Sequence, residues 1–212
     1  MTLTADERPA TIPAFERDGG LAAIGVAVAG LLYALAFVIF DDELTSGLFL
    51  LLTGLLTIVA ITAAYLHVRG VEPGFALLAL LLGAIGGAGA AAHGGWDLAY
   101  EIESEAPGPA VPNFVDPRGL LTFGFTGLAV LLIAWLASRG GVLPARLALL
   151  GYALGALLVL LYLARLIVVD SDNPLVAIPA LLSGFLAGPA WWLWLGLELR
   201  RAAPRDPATV AA

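Results

Sequence analysis

The chain has 212 residues, 60% of them hydrophobic and 13% charged, with a formal net charge of -7 and a mean hydropathy of +0.95. That is too little polar surface to coat a water-soluble globule of this size, so the composition predicts an integral membrane protein and makes nucleic acid an improbable ligand. There is no cysteine, which excludes disulfides, thiol catalysis and iron–sulfur ligation, and all ten basic residues are arginine, which excludes a lysine Schiff base.

The first 18 residues mix Asp6, Glu7, Glu16 and Asp18 with Arg8 and Arg17, and no small-residue cleavage pattern closes the first apolar run before Asp41, Asp42 and Glu43. A cleaved signal peptide is therefore not expected: residues 1–18 read as a flexible cytoplasmic tail and the first span as an uncleaved anchor. A bilayer core about 30 Å thick needs roughly 20 helical residues. Six stretches meet that length, at about 19–40, 44–67, 74–97, 119–138, 142–169 and 174–199, followed by a short tail at 200–212. The fold class predicted is all-α, a bundle of six transmembrane helices over 19–199. Helix starts agree with these bounds. Asp116 before Pro117 and Asn173 before Pro174 pair a capping residue with the position where proline costs nothing, and Pro73 and Pro144 play a similar part at the other face.

Orientation follows from the arginines, since cations near helix ends are retained on the cytoplasmic side. With both termini inside, the inner set is Arg8, Arg17, Arg69, Arg139, Arg146, Arg200, Arg201 and Arg205, and the outer set is Arg118 alone. The plasma membrane of a prokaryote is the expected location. In this topology Trp191, Trp192 and Trp194 fall at the inner headgroup level, where amphipathic rings concentrate. Small residues let helices approach closely in lipid, and Gly83 with Gly87, Gly151 with Gly155 and Gly184 with Gly188 are each four apart. This spacing predicts that the third, fifth and sixth helices form the close-packed centre; the sharper alternative is a glycine-rich third helix that lines a path.

The polar residues gather toward the outer face. His93, Asp97 and Glu101 are spaced four apart on one helical face with Tyr100 beside them, Asp116 and Arg118 end the long outer loop, and Arg165 lies one turn inside the fifth helix, before Asp170 and Asp172. Arginine inside a span normally needs partners, so Asp97 and Asp170 are its candidates. Three readings are open: a salt-bridge network tying helices together, an outward-facing site for a small ligand or ion, and a divalent-metal site on His93, Asp97 and Glu101. The outer loop, stiffened by Pro107, Pro109 and Pro112, could seat Phe114 over Trp96 and Tyr100 as a lid. Only uncharged groups such as Thr53, Thr57, Tyr152 and Ser183 fall near the midplane, which disfavours a proton-driven carrier. Ser183 lacks the glycine two residues before it that a nucleophile elbow needs, and His67 and His93 lie at opposite faces, too far apart to share a haem.

The runs His93–Leu98, Asp116–Thr122 and Arg165–Pro174, with Pro189 before its tryptophans, resemble small six-helix membrane proteins of unknown function from high-GC bacteria. The resemblance implies architecture and no catalytic residues. The expected function is non-enzymatic: an accessory or scaffold subunit, or a small-ligand binder whose candidate residues are His93, Asp97, Tyr100, Glu101, Asp116, Arg118, Arg165 and Asp170. The rival is a small transporter or channel whose external vestibule this cluster lines, and an enzyme acting on lipid headgroups comes third. No catalytic residue, resident metal or cofactor is assigned. Candidate partners are the lipid bilayer, protein subunits or further copies of the chain, and a small ligand or cation at the external face.

Overall fold

The structure is a computed structural model that describes residues 11–103, 119–168, 170 and 172–202. Among them every regular element is helical: α1 (Thr11–Ala34) runs on into a π-helical turn (Leu35–Phe40); α2 is Glu43–Val68 and α3 Pro73–Glu103; a second π-helical turn (Leu120–Phe125) leads into α4 (Thr126–Gly140); α5 is Ala145–Ile167; and α6 (Pro174–Leu182), a third π-helical turn (Ser183–Ala187) and α7 (Gly188–Ala202) follow. Six helices are long and apolar enough to cross a membrane, the first Ala14–Phe40 and the last Pro174–Ala202, which joins α6 to α7. This is the six-span, all-α membrane architecture that run length predicts. The helix of the third span continues beyond Asp97 to Glu103, so His93, Asp97, Tyr100 and Glu101 all lie on it.

The spans close into a ring in chain order. α1 packs on α2, α2 on α3, α3 on α4, α4 on α5 and α5 on α6, and α7 closes the circle against α1. Neighbours are antiparallel, so one end of the bundle holds the start of α1, the 69–72 and 141–144 turns and the end of α7, and is here called the termini end. The opposite end, the loop end, holds Asp41 and Asp42, the end of α3, Gly119 and the turn after α5.

Glycine decides which helices meet backbone to backbone. A Cβ on Gly54 would stand 2.3 Å from the Ala91 nitrogen and 2.5 Å from the Gly87 oxygen; one on Gly94 would stand 2.4 Å from the Leu51 nitrogen and 2.5 Å from the Gly47 oxygen. The α2–α3 seam is thus built on Gly47 and Gly54 against Gly94 and Gly87, with Gly20 and Gly196 joining α1 to α7 and Gly127 and Gly155 joining α4 to α5 in the same way. The expected centre of third, fifth and sixth helices is corrected: α3 lies between α2 and α4, and Gly83, Gly87, Gly94 and Gly95 of α3 all face α2.

The tryptophans need a second correction. Trp191 is 1% exposed and Trp192 6%, edge to face with centroids 4.7 Å apart, inside the bundle and not in a headgroup belt. Gly151 of α5 makes room for Trp191, since a Cβ there would sit 2.8 Å from the indole nitrogen. Trp194 is half-buried against the core and donates its Nε1–H to Glu198 at 3.1 Å. The break in the sixth span follows from Pro189, whose ring crowds the carbonyl four residues back; the chain widens there and Gly188 N–H reaches the Ser183 carbonyl.

Local chemistry fixes the helix ends. Asp42 caps α2 by accepting from Thr45 N–H at 3.0 Å. The Thr45 hydroxyl and that backbone bond hold its carboxyl below the usual carboxylate range. A carboxylate depressed in the folded state contributes stability that is complete above its unfolded pKa and is lost as pH falls through the folded value. Asp42→Asn is therefore expected to lower the thermal midpoint at pH 7, with the gap between the two proteins closing on acidification through the carboxylate range; a gap independent of pH would contradict this. At the termini end, His67 Nε2–H donates to the Val142 carbonyl at 3.0 Å while Nδ1 lies 3.8 Å from Glu16, joining the ends of α1 and α2 to the turn before α5.

Candidate functional site

The polar residues at the loop end surround a small cavity of about 60 Å³, lined by Tyr33, Ser46, His93, Asp97, Thr122 and Arg165 together with Phe37, Leu50, Gly119 and Phe123. Each span that contributes does so through a local cause. His93 and Asp97 are one helical turn apart on α3, with His93 Nε2 and Asp97 Oδ2 separated by 3.2 Å. Arg165 sits in the last turn of α5, where a cation is favoured by the helix dipole. Tyr33 stacks on Phe37 at 5.8 Å and lies in the fields of both Arg165 and Asp97. Ser46 is buried and donates its hydroxyl to the Glu43 carbonyl at 3.0 Å. Gly119 turns the chain into the cavity at φ 68, a conformation L side chains rarely adopt, and a Cβ there would strike the Phe123 ring.

Of the residues singled out in the sequence, the structure brings together His93, Asp97 and Arg165. Tyr100 is 39% exposed and, two helical turns past His93, stands outside the cavity wall. Glu101 turns toward α2, where its carboxyl comes within hydrogen-bonding reach of Glu43 with Asp41 and Asp97 in the surrounding field. His93, Asp97 and Glu101 therefore do not converge as one ligand set, and among the described residues no group of three histidine or acidic side chains is placed to hold a metal. Asp170 is exposed and accepts from Asp172 N–H at 2.9 Å. Asp116, Arg118 and the loop lid with Phe114 lie outside the described residues.

The expected pairing of Arg165 with Asp97 or Asp170 is corrected as well: among the described residues Arg165 forms no ion pair, and Asp97 is engaged by His93. A half-buried guanidinium with five fixed donors thus borders a cavity that also holds the Tyr33 phenol and the Thr122 hydroxyl. The space has room for a few waters or one carboxylate-sized group. Tyr33, Ser46 and Thr122 escaped the sequence reading, because hydroxyls in apolar spans carry no periodic signal until neighbours are known. Comparison with protein-family models, curated proteins and solved structures finds nothing that matches this chain.

Proposed function

We propose that this is a non-enzymatic membrane protein that binds a small anion through a polar mouth on the outer face of the plasma membrane, with both termini in the cytoplasm. The observation that carries the reading is Arg165, a half-buried cation on the wall of the mouth that forms no ion pair among the described residues, while Asp97 of the same wall is engaged by His93. Burial makes an unpaired guanidinium costly, and an anionic guest offsets that cost with charge-assisted hydrogen bonds worth about 1.5–3 kcal/mol each. The arginine asymmetry of the connections supports the orientation.

Acetate is the minimal probe. Titrated into the purified protein in nanodiscs and followed by NMR, it is expected to bind in a saturable way, and Arg165→Gln to weaken it at least about tenfold, the equivalent of ~1.4 kcal/mol. Equal affinity in the two proteins would overturn the reading. A transporter is the second reading, favoured by the broken sixth span with its proline and glycines, a construction found where helices flank transport sites. Flux of labelled acetate in liposomes, lost in Arg165→Gln, separates it from a binder without transport.

A further inference from the structure

The mouth adjoins a second cavity, of about 130 Å³, at mid-depth in the ring. Tyr33, Leu50, Thr122 and Phe123 line both, so these four residues stand between them. Every span contributes to the deeper wall: Gly30 from the first, Thr53 from the second, Ala90 from the third, Thr126 from the fourth, Leu154 from the fifth and Trp192 from the sixth. Two of the three π-helical turns also border it, through Thr122 and Phe123 and through Ser183 and Gly184. Such turns are rare and recur at functional sites. Of the uncharged midplane groups noted in the sequence, Thr53, Thr57 and Ser183 all reach this chamber.

Its wall is mainly apolar, with hydroxyl-bearing residues at Tyr33, Thr53, Thr57, Thr122, Thr126 and Ser183. Ser183 donates to the Pro179 carbonyl one turn back at 2.7 Å, as Thr62 does to Ile58 at 2.7 Å and Ser138 to Ala134 at 2.8 Å elsewhere in the helices. Among the described residues Thr53 Oγ1 is shielded from contact and has no hydrogen-bond partner, and it is the Cγ2 methyl of Thr53 that lies nearest Gly30. An apolar cavity of about 150 Å³ stays dry yet accepts benzene, so the chamber has the size for one aromatic ring.

We infer that mouth and chamber together bind one small amphiphilic anion, with its acidic head on Arg165 and an apolar body the size of a benzene ring in the chamber. The inference rests on the anion-binding reading of the mouth and adds to it the class of ligand.

The test compares acetate and benzoate on the full chain in nanodiscs, with wild-type and variant proteins in the same lipid so that partitioning cancels. Benzoate is expected to bind at least tenfold more tightly than acetate. Gly30→Leu should bring benzoate down to the affinity of acetate without changing acetate. Should Gly30→Leu fail to fold, Gly30→Ala serves: its Cβ would lie 3.9 Å from Thr53 Cγ2, an ordinary contact, and it is expected to weaken benzoate about threefold. Acetate binding that depends on Arg165, combined with benzoate no tighter than acetate or indifferent to Gly30, would sink the chamber and leave the mouth standing. Loss of the Arg165 dependence itself would sink the mouth reading.

Discussion

Gly54→Val is expected to prevent stable folding, or to lower the thermal midpoint more than any substitution in the walls of the two cavities. The first atom added to Gly54 would meet the Ala91 nitrogen at 2.3 Å, the Gly87 oxygen at 2.5 Å and the Ala91 Cα at 2.9 Å, all of them backbone. A flexible side chain can swing aside from such an approach, whereas backbone yields only if α2 and α3 separate. Overpacking that side chains can absorb costs about 1–3 kcal/mol, and parting a helix pair also forfeits the dispersion attraction between the two helices along their shared length. Because α2 and α3 also carry Thr53, His93 and Asp97, separation would take the mouth and chamber with it. Gly95→Ala on α3, with its nearest neighbour at 3.6 Å, and Gly70→Ala, with nothing within 4 Å, are the matched controls and should leave the midpoint in place. Unfolding followed by size-exclusion fluorescence on heating reads all three, and a Gly54→Val protein as stable as its controls would contradict the seam described here.

Trp191→Ala is the second large effect, expected to cost about 3–5 kcal/mol, the range for deleting a fully buried tryptophan from a packed core. The indole is 1% exposed, lies edge to face with Trp192 and faces the gap left by Gly151. A tryptophan in a headgroup belt would cost far less, so the measurement decides between core and interface. Trp194→Ala, which removes the half-buried ring bonded to Glu198, is expected to cost under half as much. Comparable losses from the two substitutions would place Trp191 at the surface.

How much of this was legible in the sequence depends on what each signal requires. Apolar run length needs no partner, and the six spans follow from it directly. Their order around the ring does not, because a helix facing lipid on one side and helices on the other is apolar on both, leaving no stripe to show which face is inward. Glycines four apart drew attention to the third, fifth and sixth helices, yet the α2–α3 seam uses pairs seven apart, Gly47 with Gly54 and Gly87 with Gly94, and the match appears only when the two antiparallel helices are laid together.

The site divides in the same way. His93 and Asp97 were readable as an i, i+4 pair, but each further step of four turns the helix by about 40°, so Glu101 has rotated toward α2 and Glu43. Asp170 lies past the end of α5, where the chain no longer follows the helix that carries Arg165. Tyr33, Ser46 and Thr122 join Arg165 only because the first, second, fourth and fifth spans meet at the loop end. The midplane hydroxyls were visible as residues, whereas the cavity they share is a property of the closed ring.

The chain has no native cysteine, so a single Thr53→Cys gives a unique reporter at the chamber wall. Applied to sealed vesicles, the anionic reagent 2-sulfonatoethyl methanethiosulfonate is expected to modify this residue only from the side that also labels Asp42→Cys, with benzoate slowing the reaction and Arg165→Gln slowing it further. Labelling only from the side that reaches Gly70→Cys, or no labelling while Asp42→Cys reacts fully, would mean that no route joins the mouth to the chamber.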